Sequence, residues 1–124
     1  MNWIDLQETM IAKYGIKVTV MSPCWQRTHI HIKTRMLCKW KQKNSYDSTF
    51  ILFHEIGHVM TTTPNMKRCE KESEATRWAV NQFRELGIPI RRKVVSKYKK
   101  YVRMSYERGV ARGLQKKLKS TLYM

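Results

Sequence analysis

Acidic residues are scarce in this chain. Nine Asp and Glu stand against 25 Lys and Arg in 124 residues, a formal net charge of +16. A field of that sign favours polyanions or acidic protein surfaces as partners. Cysteine is also scarce. Cys24, Cys38 and Cys69 make an odd number with no C-x-x-C spacing, which argues against a disulfide framework and against a thiolate zinc cluster. They read as reduced, mostly buried thiols in a reducing compartment. No run approaches the roughly 18 apolar residues of a membrane span. The start, Met1-Asn2-Trp3-Ile4-Asp5, lacks a basic n-region and an apolar h-region, so a cytoplasmic protein is expected. No nucleic-acid fold motif is present either, so sequence-specific binding has no support. Hydrophobic residues, at 42%, suffice for one modest core in a single domain.

What is present is a short chemical motif, His54-Glu55-Ile56-Gly57-His58, inside the apolar run 50–60. The run reads as a buried helix. Histidines four apart on a helix project from one face one turn apart, where a single zinc ion can accept both imidazoles. Glu55 points roughly 100° round the helix, beside the metal's open position, where a general base must stand. Gly57 inside a helix costs about 1 kcal/mol relative to alanine. Close approach of another backbone would account for it.

Ahead of the motif, Asn2 is a candidate N-cap for a helix over residues 3–13, closed by Gly15. Ile16–Val20 and Thr28–Lys33 alternate as half-buried strands, and Met36-Leu37-Cys38 with Trp40 is a third short candidate. Met21-Ser22-Pro23 separates the first two. The three fit a small antiparallel sheet. His29 and His31 share a strand face; they read as exposed polar residues, as chelators of a second metal, or as cleft-lining donors to substrate. Asp47 or Ser48 caps the motif helix, and Thr61-Thr62-Thr63-Pro64 ends it.

A catalytic zinc needs a third protein ligand. Residues 68–86 read as a helix with Ala75, Ala79 and Leu86 central to its apolar stripe. On a helical wheel Glu72 lies about 50° from that centre, Glu74 about 110° and Glu70 about 150°. Glu72 points most nearly into the core, where a carboxylate is costly unless paired or bound to metal. Glu74 is the next candidate. Glu70 and Glu74 also suit a solvated first turn favoured by the helix dipole. Glu85 lies too far along the helix.

H-E-I-G-H followed by Glu72-Ser73-Glu74-Ala75-Thr76-Arg77-Trp78-Ala79 resembles the H-E-x-x-H … E-x-E-A-N-x-F-A pattern of the ImmA/IrrE zinc metallopeptidases. The resemblance covers residues 46–89 and the helix-then-strands order before them. Thr76 stands where the family pattern has Asn, and Pro89 comes later than the family's L-M-P. The resemblance implies a gluzincin-like α+β domain, often encoded by phages and other mobile elements, with Glu72 as third zinc ligand. It also implies a helix-turn-helix repressor as substrate.

The excess charge sits at the C-terminal end. Residues 91–119 hold twelve Lys and Arg and one acid, Glu107. Val94, Val95, Tyr98, Val102 and Tyr106 recur at helical spacing through this basic stretch, which is weakened at Gly109 and Gly113. A second basic piece carries Leu114 and Leu118. The segment reads as a solvated helix packed on the domain, as a nonspecific phosphate surface, or as a dock for an acidic partner.

The expected fold is therefore α+β and zincin-like. It comprises an N-terminal helix, a small antiparallel sheet, the motif helix packed on a second helix carrying the third ligand, and basic C-terminal helices. Residues 1–90 form the metallopeptidase domain and residues 91–124 its basic extension. The expected function is a zinc-dependent endopeptidase. His54, His58 and Glu72 hold Zn²⁺, Glu55 is the base, and the substrate is an intracellular regulatory protein. Two alternatives are a non-proteolytic basic binding protein on the same scaffold and a structural zinc site. Structural sites are usually closed by four protein ligands, and only three are found here.

Overall fold

The computed structural model describes residues 2–19 and 27–111. Cys24, the Met21–Pro23 break, Gly113 and the second basic piece with Leu114 and Leu118 lie outside them. Among the described residues the chain is α+β, with four helices and a three-stranded sheet.

Helix α1 spans Trp3–Tyr14. The Asn2 side chain caps it, accepting from the Ile4 and Asp5 amides at 3.0 and 3.3 Å. Gly15 ends it with φ of 62°, a left-handed conformation that costs a glycine little. Gln7, fully buried, donates through Nε2 to the Lys43 carbonyl and to Thr49 Oγ1, both at 2.8 Å. These bonds fasten α1 to the start of the motif helix.

Strands β1 (Lys17–Thr19), β2 (His29–His31) and β3 (Met36–Cys38) follow. Their order is β1-β3-β2, with β2 antiparallel and β1 parallel to β3. The sheet is thus mixed, which corrects the antiparallel expectation. Alternation fixes which side chains share a face but is silent on the direction of a partner strand. The β2–β3 hairpin covers one edge of β3. On the other edge, the Arg35 guanidinium donates to the Tyr14 carbonyl at the end of α1, and Lys17 N donates to Arg35 O at 2.9 Å. The chain leaving α1 is thereby held beside the start of β3, running the same way.

Helix α2 (Tyr46–Thr61) carries the motif. Its N-cap is Ser45, whose hydroxyl accepts from the Ser48 amide at 3.2 Å, and not Asp47 or Ser48. Ser48 is used otherwise, its hydroxyl donating to the Lys41 carbonyl at 2.7 Å to fold the connector back. Asp47 is exposed in the first turn, where the helix dipole favours a carboxylate.

Helix α3 (Arg68–Glu85) packs against α2, and α4 (Arg92–Ala111) packs against α3, with Tyr98 of α4 reaching Phe50 and His54 on α2. Phe50, Leu52, Phe53, Ile56, Val80 and Phe83 are fully buried in the shared core. Each such side chain contributes on the order of 1.5–3 kcal/mol. Where α2 meets α3, Gly57 has no room for a side chain. A Cβ built there would lie 2.6 Å from the Ala75 carbonyl oxygen. The motif glycine is thus the contact point of two helix backbones. Helix α4 continues through Gly109 and buries Tyr98 and Val102, so its apolar stripe completes the same core.

Candidate metal centre

The i, i+4 spacing on α2 stacks the two histidine rings edge to face, with centroids 4.7 Å apart. Because Gly57 lets α3 approach closely, Glu72 reaches both. Its Oε2 lies 3.0 Å from His54 Nε2 and its Oε1 lies 3.4 Å from His58 Nε2. One donor atom from each of His54, His58 and Glu72 falls within 4.8 Å of the others. Of the candidate acids on α3, Glu72 is the one whose carboxylate meets the two histidines. Glu74 is not part of this group. Glu70 is used at the start of α3, where its Oε1 accepts from the Lys67 amide at 3.3 Å.

Thr76, one turn after Glu72 on α3, orients the site. Its hydroxyl donates to the Glu72 carbonyl at 2.9 Å and lies 3.1 Å from His54 Nδ1. When Thr76 Oγ1 accepts from Nδ1–H, the lone pair of His54 turns to Nε2, the tautomer a bound metal would require; without a metal, the other tautomer lets Nε2–H donate to Glu72 Oε2 at 3.0 Å. Burial disfavours a positive charge on the ring, holding His54 below the usual histidine range despite the hydrogen bond and charge of Glu72. Two imidazoles and a carboxylate, all buried or half-buried, fit a divalent metal such as zinc.

The remaining electrostatics follow from burial and mutual charge. Burial alone would raise Glu72, but hydrogen bonds from His54 and His58 hold its carboxyl well below the usual range. Burial alone would lower His58, yet Glu72 and then Glu55 raise it. Glu55 is pushed up to about 8, first by burial; the His58 charge draws it down and Glu72 raises it. The Tyr98 ring stacks on His54, centroids 4.3 Å apart at 30°. Burial, then Glu55 and Glu72, push the Tyr98 hydroxyl above the ordinary tyrosine range, so it stays a donor.

The site opens into a cleft of about 930 Å³. His54, Glu55, His58 and Glu72 form its floor. Its walls come from His29, Ile30 and Ile32 around β2, from Ile51 on α2, and from Lys97, Tyr98, Tyr101, Met104 and Arg108 on α4. Arg27, Arg68 and Lys71 complete a basic rim. The basic stretch therefore contributes one wall of the cleft, which its sequence alone did not reveal. Thr76 was also missed as an orienting group. Its signal was present in the sequence, a hydroxyl residue one turn beyond the third ligand.

No protein-family model, curated protein or solved structure matches the chain. Among the described residues no helix is long and apolar enough to cross a membrane.

Proposed function

We propose that this chain is a zinc-dependent endopeptidase with a zincin-like active site, as its resemblance to the ImmA/IrrE peptidases implies. One observation carries the proposal. His54, His58 and Glu72 converge on one point, and the buried carboxylate of Glu55 opens into the same substrate-sized cleft. A site closed by four protein ligands would be structural; three with an adjacent base describe a catalytic one.

His54, His58 and Glu72 would hold the metal, with Thr76 placed to fix the His54 tautomer. A zinc ion bound there supplies Lewis acidity, polarising a scissile carbonyl and acidifying water. Glu55 takes the proton from the attacking water and passes it to the leaving amine. Tyr98 and Tyr101 line the same cleft and are the groups from which an oxyanion donor is drawn.

The substrate is a protein segment bound as an extended strand. Strand β2 is an edge of the sheet and a wall of the cleft, so its outer backbone can pair with a peptide. The rim cations Arg27, Arg68, Lys71, Lys97 and Arg108 favour acidic residues flanking the scissile bond. A regulatory protein such as a helix-turn-helix repressor is the substrate the resemblance implies.

The test uses zinc-loaded full-length protein on a proteome-derived peptide library, with cleavage read by mass spectrometry. The wild type cuts and a chelator stops it. Glu55→Gln, holding the same zinc content, does not cut. Equal cleavage by Glu55→Gln would refute the assignment of the base. No cleavage of any peptide by zinc-loaded wild type would favour the binding-protein alternative.

A further inference from the structure

A second cluster of metal-ligating side chains lies on the sheet, apart from the proposed catalytic residues. His29 on β2 is paired directly opposite Cys38 on β3, and His31 follows two residues on. All three therefore project from one face of the sheet, opposite Leu37 and Ile30. One donor atom from each lies within 4.8 Å of the others. The histidine rings meet edge to face with centroids 5.3 Å apart. The His29 Nδ1–H donates to the Arg27 carbonyl at 2.7 Å, leaving the lone pair on Nε2. Cys38 is a free, buried thiol.

The geometry points to a second metal site at His29, His31 and Cys38, taking a thiophilic divalent cation, zinc above all. Two imidazoles and one sulfur form a donor set that selects zinc over magnesium or calcium, which prefer oxygen. On binding, the Cys38 S–H bond breaks; the sulfur keeps the electron pair and ligates the metal, and the proton passes to solvent. Three protein donors leave the fourth tetrahedral position to water or a further ligand.

The site has a structural consequence. Its ligands bridge β2 and β3, and β2 is the edge strand that walls the cleft. Three-residue strands hold few ladder bonds, so a metal bridge between them fixes the hairpin far better than pairing alone. The proposal does not depend on catalysis, because the cluster shares no ligand with His54, His58 and Glu72.

The experiment uses reduced, chelator-stripped, full-length protein titrated with Zn²⁺ and, separately, Co²⁺. Wild type is expected to take two equivalents, and the double variant His58→Ala/Glu72→Gln to keep one. The catalytic ligands include no sulfur, so a thiolate-to-cobalt charge-transfer band reports the sheet site alone. That band is expected in wild type and in the double variant, to survive Cys69→Ser, and to vanish in Cys38→Ser. His31 is exposed, so its substitution is expected to leave the fold intact; His31→Gln is expected to weaken cobalt binding roughly tenfold or more. No charge-transfer band at saturating cobalt, or a band that Cys38→Ser retains, overturns the proposal. Should Cys38→Ser not fold, His31→Gln decides, and unchanged cobalt affinity overturns it.

Discussion

The hydroxyl of Thr76 stands 3.1 Å from Nδ1 of His54 while donating its own proton to the Glu72 carbonyl at 2.9 Å. One side chain thus links the ring of one candidate metal ligand to the backbone of another. Thr76→Val keeps the shape and removes the hydroxyl, leaving a buried Nδ1–H without its acceptor. Zinc affinity is expected to fall about 10–100-fold. Thr76→Ser is expected to restore it, since the oxygen returns. Competition with a zinc-binding dye checks both; equal affinity for Val and Thr would remove Thr76 from its role.

Gly57 and Ala75 set the distance between the two ligand-bearing helices. Gly57→Ala improves local helix propensity by about 1 kcal/mol. It also places a methyl 2.6 Å from a carbonyl oxygen that belongs to backbone and cannot swing away. Overpacking of this kind costs about 1–3 kcal/mol and occasionally more. Net destabilisation is expected in denaturant melts, with weaker zinc binding because α3 carries Glu72. A variant at least as stable as wild type would show that the helices can part freely.

Glu55 gives the metal-stripped protein a pH signature. Its folded value of about 8 lies above its ordinary value of 4.5. The folded state therefore holds this proton more tightly than the unfolded chain. The resulting stability is fully present below the unfolded value and is lost as pH rises through the folded one. Other groups titrate in the same window, so the informative quantity is the difference from Glu55→Gln. At about pH 9 the variant is expected to melt several degrees above wild type, and at about pH 4 the gap is expected to close. A gap that does not change with pH would contradict the burial of an ionisable Glu55.

The basic rim predicts selectivity. Lys97→Glu with Arg108→Glu reverses two charges on the α4 wall. Cleavage of a peptide with acidic flanks is expected to lose about tenfold or more in kcat/KM, mainly through KM. Cleavage of a neutral peptide is expected to change little, and the wild-type preference to fade as salt rises. Equal losses on both peptides would mean that the substitutions damage the site itself.

The sequence by itself determined whatever depends on local periodicity. The four-residue spacing of His54 and His58 puts both rings on one face of any helix containing them. Helical facing singled out Glu72 among four nearby acids. The Asn2 and Gly15 caps likewise follow from short-range chemistry. Only the tertiary structure decided what depends on which distant segments meet. It placed β1 parallel to β3, because a guanidinium at Arg35 ties the hairpin to the end of α1. It moved the α2 cap to Ser45 by engaging Ser48 with the connector. It brought Cys38 across from His29, and it turned the basic stretch of α4 into a wall of the cleft. Alternation and charge patterns specify a face and not its partner. The partner is chosen by long-range packing, and no local stretch of the chain encodes it.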